Sequence, residues 1–223
     1  MSTETRAPDP SARSRDQIGH AAIRTLAAGV LGESVVFAST PSRLEAGQDL
    51  ASMLMQAMGK MDPCWRILPG SPPLTLYKKA LGQPGILLGS RPGPSLSFSH
   101  GEGQTWAAIC GTGSIGIDVA HPQAFAGAYP LARAFRPEEL DIVKILGYND
   151  IPRGAALLWS AKEAAVKATG TGFNRFDPLD VRVGVPHLKA QGIGFEVMAG
   201  HPIPTWATSE GQGWISIALK RAL

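Results

Sequence analysis

The 223-residue sequence predicts an α+β fold, and three observations carry that expectation. Segments of period-two alternation gather at 85–119 and 181–219, and a long segment of helical period lies between them. Helices and strands do not alternate regularly, as a doubly wound parallel sheet would require. Apolar residues make up 44% and charged residues 17% of the chain, a balance that supports a buried core.

The spacing of Ile18, Ala21, Ala22, Leu26 and Val30 predicts a first helix over 17–31, stopped by Gly32. The β-branched run 35–38 reads as a short strand, and 44–58 as a second helix ending at Gly59. Pro63, Pro69, Pro72 and Pro73 punctuate the next region, which reads largely as loop with Trp65 as its anchor. Strands are expected at 85–88, 96–99, 106–110 and 115–119, with a turn-rich stretch at 89–94. Residues 127–146 read as helical around Pro130 and Pro137, and 153–169 as the clearest helix, ended by Gly170 and Gly172. Strands at 181–185, 195–198, 205–207 and 214–219 complete the chain. The polar residues 1–16, with Pro8 and Pro10, read as a flexible tail, and a composition break at 119–127 suggests an N-terminal subdomain over 17–120 and a C-terminal subdomain over 121–223.

Charge and composition exclude several classes of function. The net charge is +3, with 10 Lys and Arg against 9 Asp and Glu in residues 1–120 and 11 against 9 beyond. That excess forms no basic arm, which argues against a nucleic-acid partner. The apolar stretch 21–31 is interrupted by Arg24 and is too short to span a bilayer, and residues 1–16 are polar with mixed charge. A cytoplasmic protein without membrane attachment is expected. Cys64 and Cys110 lack metal-site spacing and read as reduced, buried thiols.

Candidate chemistry concentrates in Trp159-Ser160-Ala161-Lys162-Glu163-Ala164-Ala165-Val166-Lys167, which sets two lysines around one glutamate in an otherwise small, apolar helix. Glu163 and Lys167, four apart, share a helix face. A solvated charged face is the plain alternative. Asp118 ends a strand-like run with Gly116 close by, and a capping aspartate would look the same. Paired with Glu163, it offers the oxygen-only donors that Mg²⁺ takes beside substrate phosphates. Ser99 and His100, followed by Gly101 and Gly103, either form an ordinary turn or meet a phosphate at a strand edge. The glycine-rich run 111–116 lacks the Gly-Lys-Ser/Thr ending of a nucleotide loop and reads as a strand connection.

Taken in order, Leu96-Ser97-Phe98-Ser99-His100, then Gly116-Ile117-Asp118-Val119, then Trp159-Ser160-Ala161-Lys162-Glu163 with Lys167 and Gly170-Thr171-Gly172-Phe173, resemble the 4′-phosphopantetheinyl transferases. The similarity is strongest to the surfactin-synthetase-activating type and covers roughly 18–220, with Arg24-Thr25-Leu26 and Phe135-Arg136-Pro137-Glu138-Glu139 fitting as well. The resemblance implies two similar α/β subdomains related by pseudo-twofold symmetry in one chain, expected as a monomer. It further implies transfer of phosphopantetheine from coenzyme A to a serine of an apo acyl or peptidyl carrier protein. On that footing Asp118 and Glu163 would ligate Mg²⁺, with Glu163 also the base for the serine hydroxyl. Lys167 would stabilise the departing 3′,5′-ADP, Lys162 would hold phosphate, Ser99 and His100 would meet the 3′-phosphate, and Arg24 the nucleotide end.

Departures from the family pattern accompany the resemblance. Ala120 stands where such relatives carry a second acidic residue, Gln83 where they carry a phosphate-binding lysine, and the family's customary opening strand and basic segment before the first helix are not expected here. These substitutions leave an alternative: a weak or inactive relative that binds coenzyme A or a carrier protein without transfer.

Overall fold

In the computed structural model, which describes residues 22–189 and 191–221, two antiparallel sheets stack against each other with a helix on each outer surface. The N-terminal part contributes β1 (Arg24–Leu26), α1 (Ala28–Leu31), β2 (Val35–Pro41), α2 (Ala46–Met61), β3 (Leu74–Lys78), β4 (Pro84–Leu88), β5 (Arg91–Pro92), β6 (Ser95–Gly101) and β7 (Gln104–Cys110). The rest contributes β8 (Ser114–Ala120), α3 (Pro137–Leu146), α4 (Ile151–Ala168), β9 (Arg182–Val183), β10 (His187–Lys189), β11 (Gly192–Met198), β12 (Pro202–Glu210) and β13 (Gly213–Lys220). One sheet runs β1-β2-β7-β6, a second β10-β11-β12-β13-β8 with β9 on β11, and a third β3-β4-β5. No helix among the described residues is long and apolar enough to cross a membrane.

The period of two along each strand explains the layering. Val35, Phe37, Trp106 and Ala108 point inward against Ile115, Ile117, Ile215 and Ile217, forming the core between the sheets. Val36, Ala38, Ala107 and Ile109 point outward onto Leu50, Leu54 and Met58 of α2. On the far side α4 packs its Ala155, Leu158, Ala161 and Ala165 over the second sheet. Gly116 lets this helix approach, because a Cβ there would lie 1.9 Å from the Ala164 carbonyl oxygen.

The two sheets meet along an unusual seam. Ser95, Ser97 and Ser99 on one face of β6 accept the backbone N–H groups of Ile115, Ile117 and Val119 at 2.9, 3.1 and 3.1 Å. Both partners advance by two residues per rung, so β6 and β8 run side by side in the same direction, joined through hydroxyls. The outer edge of β8 would otherwise expose unpaired donors.

Several expectations change. The described part of the expected first helix is the strand β1, because Arg24, Thr25 and Leu26 pair with Phe37, Val36 and Val35, and only one helical turn follows before Gly32. Residues 1–21, which hold the expected tail and the start of that helix, lie outside the described residues. Helix α2 runs through Gly59 to Met61, and Gly59 is required by close packing, since a Cβ would lie 2.9 Å from the Arg66 Cα. The supposed loop before residue 84 contains β3, whose Leu76 pairs with Ile86 of β4. Only the end of 127–146 is α-helical, because Pro137 occupies the first turn of α3 and short 3₁₀ turns precede it. Cys110 is buried and free, but Cys64 is exposed on the turn after α2.

Candidate functional site

Helix α4 is buried nearly all round, and its one partly open stripe is Trp159, Glu163 and Lys167, spaced at four residues. Asp150 caps the helix by accepting the Arg153 N–H, and Pro152 sits in the first turn. The stripe faces β8 at Asp118, which points to the α4 side while Ile117 and Val119 face the inter-sheet core. Lys167 Nζ donates to Asp118 Oδ1 at 2.7 Å and also to the carbonyl oxygens of Ile117 at 3.2 Å and Phe98 at 3.4 Å. One ammonium therefore spans the seam between β6 and β8. Ser99 Oγ donates to the same Asp118 oxygen at 2.9 Å.

These groups border a cavity of about 550 Å³ whose wall includes Ser99, His100, Asp118, His121, Glu163 and Lys167. A second cavity of about 520 Å³, bounded by Tyr77, Gln83, Pro84, Gly170 and Thr171, shares Phe98 and Lys167 with the first. Together they form two basins on either side of one lysine. Beside the first, Trp159 stacks on Phe173 with ring centroids 5.3 Å apart, and Phe125 packs on Tyr129 at 4.9 Å.

Electrostatics set two acids near one ammonium. Burial and, after it, the nearby Asp118 charge push the Glu163 carboxyl up to about 7 against the opposing effect of Lys167. Burial also raises Asp118, against the stabilising bonds from Lys167 and Ser99. Two like-charged acids sharing one ammonium are under-neutralised when both ionise. Their donors are oxygens only, which suits a hard divalent cation that completes its shell with water and phosphate. Among the described residues no three His, Cys, Asp or Glu side chains converge on a metal position, so Asp118 and Glu163 would supply two ligands at most.

The structure brings Ser99, His100, Asp118, Glu163 and Lys167 together, with His100 exposed at the rim. Lys162 and Arg24 are not with them. Lys162 is fully buried and donates to Glu139 Oε2 at 2.7 Å, the Ala134 carbonyl at 2.8 Å and the Pro178 carbonyl at 3.0 Å. Arg24 makes two bonds to Glu210, at 2.7 and 2.8 Å, and lies over the rings of Phe37 and Trp106. Gln83 lines the second cavity, with Lys79 Nζ at 3.2 Å and Ser114 Oγ at 3.5 Å. Ala120 borders the first cavity on the same face of β8 as Asp118.

Sequence reasoning missed His121, Phe125 and Tyr129. His121 follows β8, its Nδ1 lies 2.9 Å from Glu102 Oε1, and neither ring nitrogen has an aligned hydrogen-bond partner among the described residues. Gly213 seats the ring, since a Cβ there would come within 2.6 Å of it. The signal available was its place, three residues after Asp118 and just before Pro122.

No curated protein matches this chain. Residues 114–213, which run from the first residue of β8 through α4 to the start of β13 and include Asp118, Glu163 and Lys167, match the family model of the 4′-phosphopantetheinyl transferase superfamily.

Proposed function

We propose that the chain transfers the 4′-phosphopantetheine group of coenzyme A to a serine of an acyl or peptidyl carrier protein, with Mg²⁺ held by Asp118 and Glu163. The family match supports phosphopantetheine transfer in general. The observation that carries the finer reading is the convergence of Asp118, Glu163 and Lys167 on the first cavity, with Lys167 also lining the second.

When bound, the metal neutralises the pyrophosphate and polarises the phosphorus under attack. Glu163 takes the proton of the serine hydroxyl, directly or through a water, and its value near 7 suits a base working near neutral pH. The serine oxygen forms a bond to the phosphorus bearing the pantetheine arm. The anhydride P–O bond breaks, and its electron pair leaves on 3′,5′-ADP. Lys167 meets that leaving charge, and His100 at the rim meets the 3′-phosphate. Preorganised charge of this kind supplies most of what phosphoryl transfer needs.

The surfactin-synthetase-activating type, with two similar subdomains in one monomeric cytoplasmic chain, is part of the same proposal. It is supported by the repeated theme of one helix on an antiparallel sheet, α2 on β2 and β7 and α4 on β8 and β13. The test is to incubate the protein with coenzyme A, Mg²⁺ and a panel of apo carrier proteins and weigh the carriers by mass spectrometry. A phosphopantetheine mass increase is expected on at least one carrier. Its absence across the panel overturns transfer, and coenzyme A binding without transfer would establish the inactive relative that Ala120 and Gln83 leave open.

A further inference from the structure

Three serines line the seam on β6, yet they are not equivalent. Ser95 and Ser97 accept an N–H from β8 and have no carboxylate partner among the described residues. Ser99 accepts the Val119 N–H at 3.1 Å and gives its proton to Asp118 Oδ1 at 2.9 Å. A hydroxyl has one proton to donate. At 5% exposure, and with that proton committed, Ser99 has nothing left to offer a nucleotide phosphate unless Asp118 loses its bond.

We infer that Ser99 is a positioning residue for Asp118, fixing the carboxylate toward the divalent cation, and is not a contact to the 3′-phosphate. The inference rests on the transferase reading for the identity of the cation and the donor. Ser99 and Lys167 hold Oδ1 from two directions, one from β6 and one from α4, so the carboxylate is oriented by both halves of the structure before any ligand arrives. Hydrogen bonds to a ligating carboxylate tune affinity through orientation, and losing one typically costs about 10–100-fold.

The experiment compares the full chain with Ser99→Ala, Ser99→Thr and Ser95→Ala. Ser95→Ala removes a rung of the same seam far from Asp118 and therefore reports what seam damage alone does. Mn²⁺ affinity is read by electron paramagnetic resonance, and the affinities for coenzyme A and 3′-dephospho-coenzyme A by calorimetry. Ser99→Ala is expected to weaken Mn²⁺ about tenfold. Ser99→Thr, which keeps the hydroxyl, and Ser95→Ala should stay close to the parent. The ratio of coenzyme A to dephospho-coenzyme A affinity should be unchanged in all three. A falling ratio in Ser99→Ala overturns the inference, as does unchanged Mn²⁺ affinity in that variant or equal weakening in Ser95→Ala. If the parent binds neither coenzyme, the transferase reading fails while the Mn²⁺ comparison still decides the role of Ser99.

Discussion

Lys167 Nζ lies 2.7 Å from Asp118 Oδ1 while also reaching the carbonyl oxygens of Phe98 and Ile117, so a single ammonium ties α4 to both strands of the seam. Replacing it by methionine removes a charge-assisted bond to a buried carboxylate and leaves two carbonyls without that donor. Lys167→Met is expected to lower stability by about 2 kcal/mol in urea unfolding without metal. Saturating Mg²⁺ should recover part of that loss, because the cation replaces the missing charge beside Asp118. An identical loss with and without Mg²⁺ would separate the lysine from the metal position.

The pH dependence of folding follows from Glu163, whose folded value of about 7 lies above its ordinary value of 4.5. Below about 4.5 the acid is protonated in both states, and its contribution to stability is complete. As pH rises toward 7 the unfolded chain ionises first and the folded chain resists, so stability is lost across that window. The metal-free melting temperature should therefore fall between pH 4.5 and about 7 in excess of the trend in Glu163→Gln, which has no such proton to release. Differential scanning calorimetry of the two proteins checks it, and parallel curves would place the titration elsewhere. In transfer assays Glu163→Gln should lose about 100-fold or more in rate.

The site residues were legible to different degrees for a physical reason. A long apolar helix is readable from its period, and Glu163 with Lys167 follows from a four-residue spacing. Which charges face the cavity depends on what the helix packs against, and one step around it Lys162 enters the core instead. The strand at Arg24–Leu26 was hidden for a similar reason. Its apolar spacing fits a helix, and only pairing with Val35–Phe37, a contact between segments, selects the extended form. Short edge strands such as His187–Lys189 carry even less local signal.

Lys162 and Glu139 form a buried pair that positions α4 without lining either cavity. Glu139 also accepts the backbone N–H groups of Arg136 and Val183, so it joins the start of α3 to β9. Lys162→Met should cost about 3–5 kcal/mol, because a carboxylate stays buried without its partner. Adding Glu139→Gln removes that charge and keeps an acceptor for one of the two amides, which bond different carboxylate oxygens, so the double variant should regain part of the loss. Urea unfolding of the singles and the double gives the coupling, and strict additivity would refute it.

Ala120 shares with Asp118 the face of β8 toward the first cavity, two residues along the strand. Ala120→Glu therefore adds a third carboxylate to a region where Asp118 and Glu163 already repel each other. Without metal the extra charge should destabilise the fold by about 1–3 kcal/mol, since the position is only 7% exposed. With Mn²⁺ the sign should reverse at the level of affinity, with binding tighter by about tenfold as a water ligand gives way to carboxylate. Paired thermal melts and Mn²⁺ titrations on one sample distinguish this from simple damage, which lowers stability and affinity together. A variant that loses stability and gains no affinity would show that position 120 does not reach the cation, leaving Asp118 and Glu163 as the whole protein contribution.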